Sequence, residues 1–337
     1  MGTVQYIPDF SQVQNKCING GLDWWQAIEA TGTTISWVSV STYLYGPDQW
    51  YARNTLGGTG TAGILTLTQV AGVTNQSLYG CKLQITTAPI TAPTNGCFLT
   101  YIFDNFQSQD FYNQNASAQI LIKALGNVTS VTLQFKYATS ETKLATGIGS
   151  AVVVTINSSS FSIGQIIAQA MGTAQGTGGV VGLEIGINAV SSGNVYDLNN
   201  GFMVEQCGIY VGNNIPTSWA RAASPPQELG MLLRYFWKTF PIGTKPAQST
   251  GSALGAISIV TQVLSVAEGV WVDFPVPMRA APAITFYGPA TGDSKWSDTG
   301  ASSTANIGQA GFLAIKAAVA TAAGTTVQVH AIADARM

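Results

Sequence analysis

Charge is what this 337-residue sequence has least of: Asp, Glu, Lys and Arg together make up 9% of it, against about 25% in an average soluble domain. Long solvated helices draw on Glu, Lys and Arg, so the scarcity excludes a mainly helical protein and leaves uncharged polar groups to cover the surface. With 14 basic and 16 acidic residues the net charge is −2; there is no basic stripe to release counterions from a phosphate backbone, and nucleic acid is excluded as a partner. Histidine is nearly missing. His330 is alone, whereas acid–base and nucleophilic catalysis normally need a positioned proton carrier. The four cysteines, Cys17, Cys81, Cys97 and Cys207, form no CxxC pair of the zinc or redox kind. They read as buried free thiols, with a Cys17–Cys207 bridge, which needs an oxidising compartment, as the alternative. The mean hydropathy is +0.22, yet no run approaches the ~20 apolar residues of a membrane-spanning helix. The segment from Met1 to Pro8 lacks the basic region and apolar run of a secretory signal, which points to synthesis in the cytoplasm without Sec export.

What is present is glycine, with 37 residues, and a chain of period-two segments separated by Gly, Asn, Ser and Pro clusters, the pattern of antiparallel β-structure with tight turns. The alternating runs Ile64–Val70, Cys81–Ile85 and Val131–Tyr137 predict half-buried strands. Val152–Ile156, the set Val181, Leu183, Ile185 and Ile187, and Phe202–Val211 continue the pattern, with Gly182 and Gly186 leaving room for a close approach on the opposite face. Sparse charge with abundant apolar residues also fits an obligate oligomer, whose interfaces resemble a core cut in half.

The pattern changes between 215 and 240. Ser224-Pro-Pro-Gln227 reads as a capped helix start, and Leu229, Leu232, Leu233, Phe236 and Trp237 recur at helical spacing. They predict one helix over about 225–238 with an apolar stripe for packing or oligomer contact. A Gly-, Ser- and Pro-bearing connector follows, then five strand-like runs: Ile257–Val260, Val270–Val276, Ala283–Tyr287, Phe312–Ala317 and Val327–Ile332. The predicted organisation is an N-terminal arm over 1–18 used for attachment, a β-sandwich over 19–214, a linker with its helix over 215–255, and a small sandwich over 256–337.

Candidate chemistry is thin. Asp104 and Asp110 are the nearest thing to a carboxylate pair, but loop solvation or turn capping accounts for them. Asp197–Gly201 and Asp293–Asp298 are oxygen-rich turns without the ligand spacing of a calcium loop. Gly57–Gly60 and Gly176–Gly179 lack the Lys-Ser/Thr of a phosphate loop. The Asn-x-Ser/Thr triplets at Asn75, Asn115, Asn127 and Asn157 are ordinary in so Asn- and Ser-rich a chain. No catalytic residue, cofactor or metal is expected. The one feature with binding character is aromatic: Trp24, Trp25, Trp37, Tyr43, Tyr45, Trp50 and Tyr51 crowd one segment, and such rings stack on sugars or anchor interfaces. Trp24, Trp25, Tyr43, Tyr45, Trp50 and Tyr51 are therefore the candidates for glycan or interface contact.

Three segments in order carry a family resemblance: Ile18–Gln26 with Tyr45–Tyr51, then Ile215–Lys238, then Val276–Pro289. The chain resembles the jelly-roll proteins of tailed-bacteriophage virions, especially tail fibres and adsorption proteins, whose opening "N-G-G-F-E-x-W-Q", central "E-L-x-x-C-x-R-Y-Y" and later "M-R-x-x-P" motifs these segments match in order and spacing. Met231 stands where the family often has Cys, and the acids of the opening and closing strands are thinned to Asp23 and Glu205, so a calcium site of the carbohydrate-binding-module kind is not expected. The resemblance implies an all-β virion protein, an N-terminal jelly roll joined by one short linking helix to a smaller sandwich. It also implies a homotrimer attached to other virion proteins through its N-terminal arm, located on the tail or capsid surface, that contacts host-surface glycan. The rival readings are a capsid decoration or head-fibre protein, a glycan-active depolymerase, and a free carbohydrate-binding module.

Overall fold

The computed structural model describes residues 14–26, 34–37, 42–54, 64–74, 77–87, 96–187, 197–242, 254–260, 268–289, 306–311, 313–319 and 326–336. The arm before residue 14, the Gly57–Gly60 and Asp293–Asp298 turns, Asn75, most of the connector and the side chain of Trp37 lie outside them.

The protein is all-β, a jelly-roll sandwich followed by a smaller sandwich. The larger part contains β1 (Thr34–Trp37), β2 (Thr42–Tyr45), β3 (Trp50–Asn54), β4 (Ile64–Ala71), β5 (Tyr79–Thr87), β6 (Cys97–Ile102), β7 (Asn115–Leu125), β8 (Ser130–Ala138), β9 (Thr146–Thr155), β10 (Ser162–Ala170), β11 (Val180–Ile187) and β12 (Gly201–Val211). They form two six-stranded antiparallel sheets, β1-β4-β5-β12-β7-β10 and β2-β3-β6-β11-β8-β9. Of the consecutive strand pairs only β2–β3, β4–β5 and β8–β9 stay within one sheet, and every other connection crosses to the opposite sheet, which is the double-sheet wrapping of a jelly roll. Alternation along each strand sends one row inward: Leu65, Leu67, Leu83, Ile85, Leu99, Tyr101, Ile120, Ile122, Leu133, Phe135, Leu183 and Ile185 share one core.

That core begins earlier in the chain than expected. Cys17 and Ile18, which the sequence assigns to the arm, are buried, the Lys16 amide donates to the Ile209 carbonyl at 2.7 Å, and Asn15 Oδ1 accepts from the Ile209 amide at 3.0 Å. Buried polar backbone must be paired, and β12 supplies the partners.

All four cysteines are buried free thiols. Burial pushes the Cys17 thiol well up, and a hydrogen bond with Cys207 adds to the shift.

A short α1 (Asn105–Ser108) follows β6 and α2 (Pro225–Leu232) follows β12. Helix α2 starts as predicted, with the Ser224 amide donating to Gln227 Oε1 at 3.2 Å. It stops six residues before the predicted end, which is a correction: Phe236–Lys238 is strand β13, antiparallel to β19 (Thr326–Asp334). The predicted stripe therefore splits. Leu229 and Leu232 stay on the helix, Leu233 closes it, and Phe236 and Trp237 belong to the sheet. Gly230 weakens the helix by about 1 kcal/mol relative to alanine. Pairing with β19 meanwhile satisfies the backbone and buries Phe236.

The small sandwich adds β14 (Ile257–Val260), β15 (Glu268–Asp273), β16 (Ala283–Tyr287), β17 (Asn306–Ala310) and β18 (Ala314–Val319). β19 is its hub, pairing with β13, β14 and β16, while β15, β18 and β17 form the second layer. Its separate core gathers Ile257, Phe274, Met278, Phe286, Ile315, Val327, Val329 and Ala331.

Candidate functional site

The face of the β2-β3-β6-β11-β8-β9 sheet that points away from the core carries the most concentrated chemistry of the described residues. Register lines its side chains up in rows across the strands. One row runs Tyr43, Arg53, Phe98, Gly186, Thr132, Val153; the next runs Tyr45, Tyr51, Thr100, Glu184, Gln134; a third contains Ile102, Gly182, Lys136 and Gly147. Glu184 sits at the centre. Its Oε2 accepts from Arg53 Nη2 at 3.1 Å and its Oε1 pairs with Lys136 Nζ at 2.8 Å, with the carboxylate side chain 6% exposed. The Arg53 guanidinium lies 4.4 Å over the Phe98 ring, and the ring in turn occupies the space a side chain at Gly186 would need. Gly182 plays the same part for Leu144. The close approach expected at these two glycines is thus made by the protein's own side chains.

Buried charge is tolerated only when paired and hydrogen-bonded; here one carboxylate is shared by two cations. Among the described residues, Arg53 Nε has no hydrogen-bond partner. Beside it Gln134 reaches across Gly147 to donate to the Gly149 carbonyl at 2.8 Å. Tyr43, 40% exposed, stands at the β2 end of the strip with its ring held edge-on to Tyr51 at 5.4 Å. The strip thus offers one accessible ring and the partly exposed Arg53 and Lys136 donors, whose positions the buried Glu184 carboxylate fixes, with the Gln134 amide beside them. That donor, acceptor and ring set matches a polyhydroxylated ligand with apolar ring faces.

The aromatic candidates divide by strand alternation. Trp25 and Trp50 are core: the Trp25 indole donates to the Leu22 carbonyl at 2.6 Å, and Trp50 packs edge-on to Tyr101 at 5.2 Å. Trp24 is half-buried beside Asn19, whose side chain accepts from the Trp24 amide at 3.0 Å. Tyr43, Tyr45 and Tyr51 lie on the outer face of the sheet, with Tyr51 itself buried, and surround the Lys143 ammonium, whose Nζ is 4.0 Å from the Tyr45 ring centre, 4.7 Å from Tyr51 and 5.7 Å from Tyr43. Burial, then the neighbouring Arg336 charge, brings Lys143 down to about 7. Lys143 lies on the 139–145 loop, which folds over one end of the outer face: Leu144 joins Tyr51, Ile102, Ala138 and Val180 in a small second cluster.

The same loop meets the small sandwich. Glu141 pairs with Arg279, and Arg336 lies 4.2 Å over Tyr45 and 4.6 Å over Phe236. Asp334 grips Arg336 through two hydrogen bonds of 2.9 and 2.6 Å. Burial raises the Asp334 carboxyl, but the Arg336 contacts outweigh it and hold it below its usual value. Nearby, burial lifts Asp48 to about 7 despite the Gln26 hydrogen bond and the Arg336 and Lys238 charges.

No protein-family model matches the chain, and no curated protein matches it. Solved structures do. The enzymatically active domain of bacteriophage CBA120 tailspike protein 4 superposes at TM-score 0.33 and 10% identity over 48% of this chain, which covers 19% of that one. The family 11 carbohydrate-binding module of Clostridium thermocellum Lic26A-Cel5E gives TM-score 0.32 at 10% identity over 57% of this chain and 100% of the module. The CBM22-1 xylan-binding domain of Paenibacillus barcinonensis Xyn10C gives 0.28 at 13% identity over 55% and 99%.

The remaining sequence candidates are built into the fold. Asp104 caps α1, accepting from the Gln107 amide at 2.7 Å, and takes the Tyr235 hydroxyl at 2.6 Å; Asp110 pairs with Lys16 at 2.9 Å. The two do not share a site. His330 is buried on β19, with Thr239 Oγ1 at 3.1 Å and the Phe240 ring at 5.2 Å. Asp23 accepts from the Leu78 and Tyr79 amides and pairs with Arg221, and Glu205 accepts from the Val73 and Thr74 amides. Each of these carboxylates is engaged by backbone donors.

Sequence inspection missed Arg53, Lys136 and Glu184. The signal was there in each strand: a lone charge on the polar side of an otherwise apolar alternating run. Only the sheet order brings the three together.

Proposed function

We propose that this chain is a non-catalytic attachment protein of a bacteriophage virion, a homotrimeric tail fibre or receptor-binding component that contacts host-surface glycan through the Tyr43–Arg53–Glu184–Lys136–Gln134 strip. The observation that carries the reading is the convergence of Arg53 and Lys136 on Glu184 on the outer face of the sheet, in a chain that has so few charges to place. Packing does not call for ions there. A surface that must bind and release hydroxylated ligands gains from fixed, half-buried donors and acceptors, because their geometry is set before the ligand arrives. The family resemblance supplies the virion setting. Three features favour binding over hydrolysis: the lone, buried His330, the use of Asp104 as a cap, and the pairing of Asp110 with Lys16.

The test is a glycan-array and calorimetric measurement with host-surface polysaccharide, using wild type, Tyr43→Ala and Gln134→Ala, together with immunogold labelling of intact particles. Binding that falls at least tenfold in the variants, with label on the tail, supports the reading. A wild-type protein that binds no surface polysaccharide, or variants that bind it undiminished, overturns the strip. Label spread over the head would make the chain a decoration protein, and loss of polysaccharide on incubation would make it a depolymerase.

A further inference from the structure

We propose that copies of this chain meet through the uncharged flank formed by β9 and β10. The inference rests on the homo-oligomeric reading above and adds where the contact lies. From Leu144 through Leu183 the sequence contains no Asp, Glu, Lys, Arg or His. This is not the signature of a buried stretch. β9 is exposed at most positions along its 10 residues, and β10 alternates between exposed and buried along its 9. Val153, Ile163 and Ile167 are 50%, 60% and 62% exposed.

Topology concentrates these residues. β9 ends one six-stranded sheet and β10 ends the other, so a single flank of the sandwich presents both edges, and among the described residues no further strand pairs with either. Monomeric β-proteins blunt such edges with lysine, proline or inward-pointing charge. Neither strand contains any of these. Each has a bulge, at Gly149 and at Ala168, where φ is positive, but Val152–Thr155 and Ser162–Ile166 run in regular register. Those stretches keep a straight row of backbone donors and acceptors.

Charge and size both argue for a second copy as the occupant. Where neighbouring copies bring their flanks together, uncharged surface meets uncharged surface with no like-charge repulsion and no ion to desolvate, whereas a charged partner would lose hydration against it without compensation. The two strands, with the 156–161 turn between them, reach the ~20–30 residues a side that a standard interface uses, along an edge ~33 Å long. The opposite flank, at β2, is where Arg53, Lys143 and Arg336 gather. Val153 closes the same row that Tyr43 opens, so assembly through this flank sets the binding strips of neighbouring copies side by side.

The experiment is sedimentation velocity and light scattering on the full chain at micromolar concentration. Wild type is expected to be oligomeric, the Val153→Lys/Ile163→Lys double variant monomeric, and Val73→Lys, at a 74% exposed position outside the flank, oligomeric like wild type. All three are expected to give the same far-ultraviolet circular dichroism. A monomeric wild type overturns this proposal together with the oligomeric reading, whereas oligomers that survive the double variant overturn the flank alone. Hydrogen exchange on the wild type needs no variant. Amides of Val152–Thr155 that exchange as freely as an open edge would also overturn the flank.

Discussion

Arg336 lies with its guanidinium 4.2 Å from the ring centre of Tyr45, tying the end of the small sandwich to the second strand of the large one. The same guanidinium stacks on Phe236 and is gripped by Asp334. A planar, permanently charged group is required to do all three at once. Arg336→Ala is expected to lower stability by about 1–3 kcal/mol in urea denaturation and to expose a new site of limited proteolysis between the sandwiches. Arg336→Lys is expected to recover only part of the loss. Unchanged proteolysis in the alanine variant would show that the sandwiches are held by something else.

Asp48 and Lys143 give stability opposite pH dependences in adjacent windows. The folded-state pKa of Asp48 is raised from 3.8 to about 7, so its contribution is complete below the unfolded value and is lost as pH rises through about 7. Lys143 is lowered from 10.5 to about 7, so the cost of burying its ammonium is present below about 7 and is relieved as pH climbs toward 10.5. Thermal melts across pH 4–10 should show Asp48→Asn removing the decline on the acid side and Lys143→Met flattening the rise on the alkaline side. Parallel curves for wild type and both variants would refute the assignment.

Glu184 separates stability from binding. Glu184→Ala leaves Arg53 and Lys136 facing each other without a counter-charge and is expected to cost about 3 kcal/mol. Replacing all three residues together with Leu or Met should be near neutral for folding, because the charges are removed as a set, and should abolish glycan binding. Chemical denaturation and calorimetry on the single and triple variants check both halves.

Trp50 and Tyr43 test the division of the aromatic cluster. Trp50→Ala removes a fully buried ring and is expected to cost about 3–5 kcal/mol. Tyr43→Ala, at a 40% exposed position, should stay within about 0.5 kcal/mol. Equal losses in denaturation would show that Tyr43 is structural.

Much of this architecture was legible in the sequence because large apolar side chains alternating with polar or small ones mark a strand, even where, as in β11, both faces are buried. β4, β5, β8, β11 and β12 were read that way, and β16 to the residue. β6 was not, since Cys97–Ile102 is buried on both faces and shows no period. β7 and β10 were missed where small or glutamine side chains blur the contrast between faces. The helical spacing of Phe236 and Trp237 was real, but a strand partner ninety-odd residues later claimed them, and no local pattern announces that. The Arg53–Glu184–Lys136 cluster was illegible for the same reason: its members come from three strands whose neighbourhood is decided by sheet order.

That strand partner also sets an order of biosynthesis. β19 is the central strand of its sheet, contacting β13, β14 and β16, so nothing earlier in the small sandwich can close around its core until residues 326–334 have left the ribosome. The jelly roll, completed by β12 at residue 211, can fold while the rest is still being translated. A growing chain therefore carries a finished domain ahead of an unfinished one, and premature termination a few codons before β19 would release a protein with a sound jelly roll and an unprotected, aggregation-prone tail.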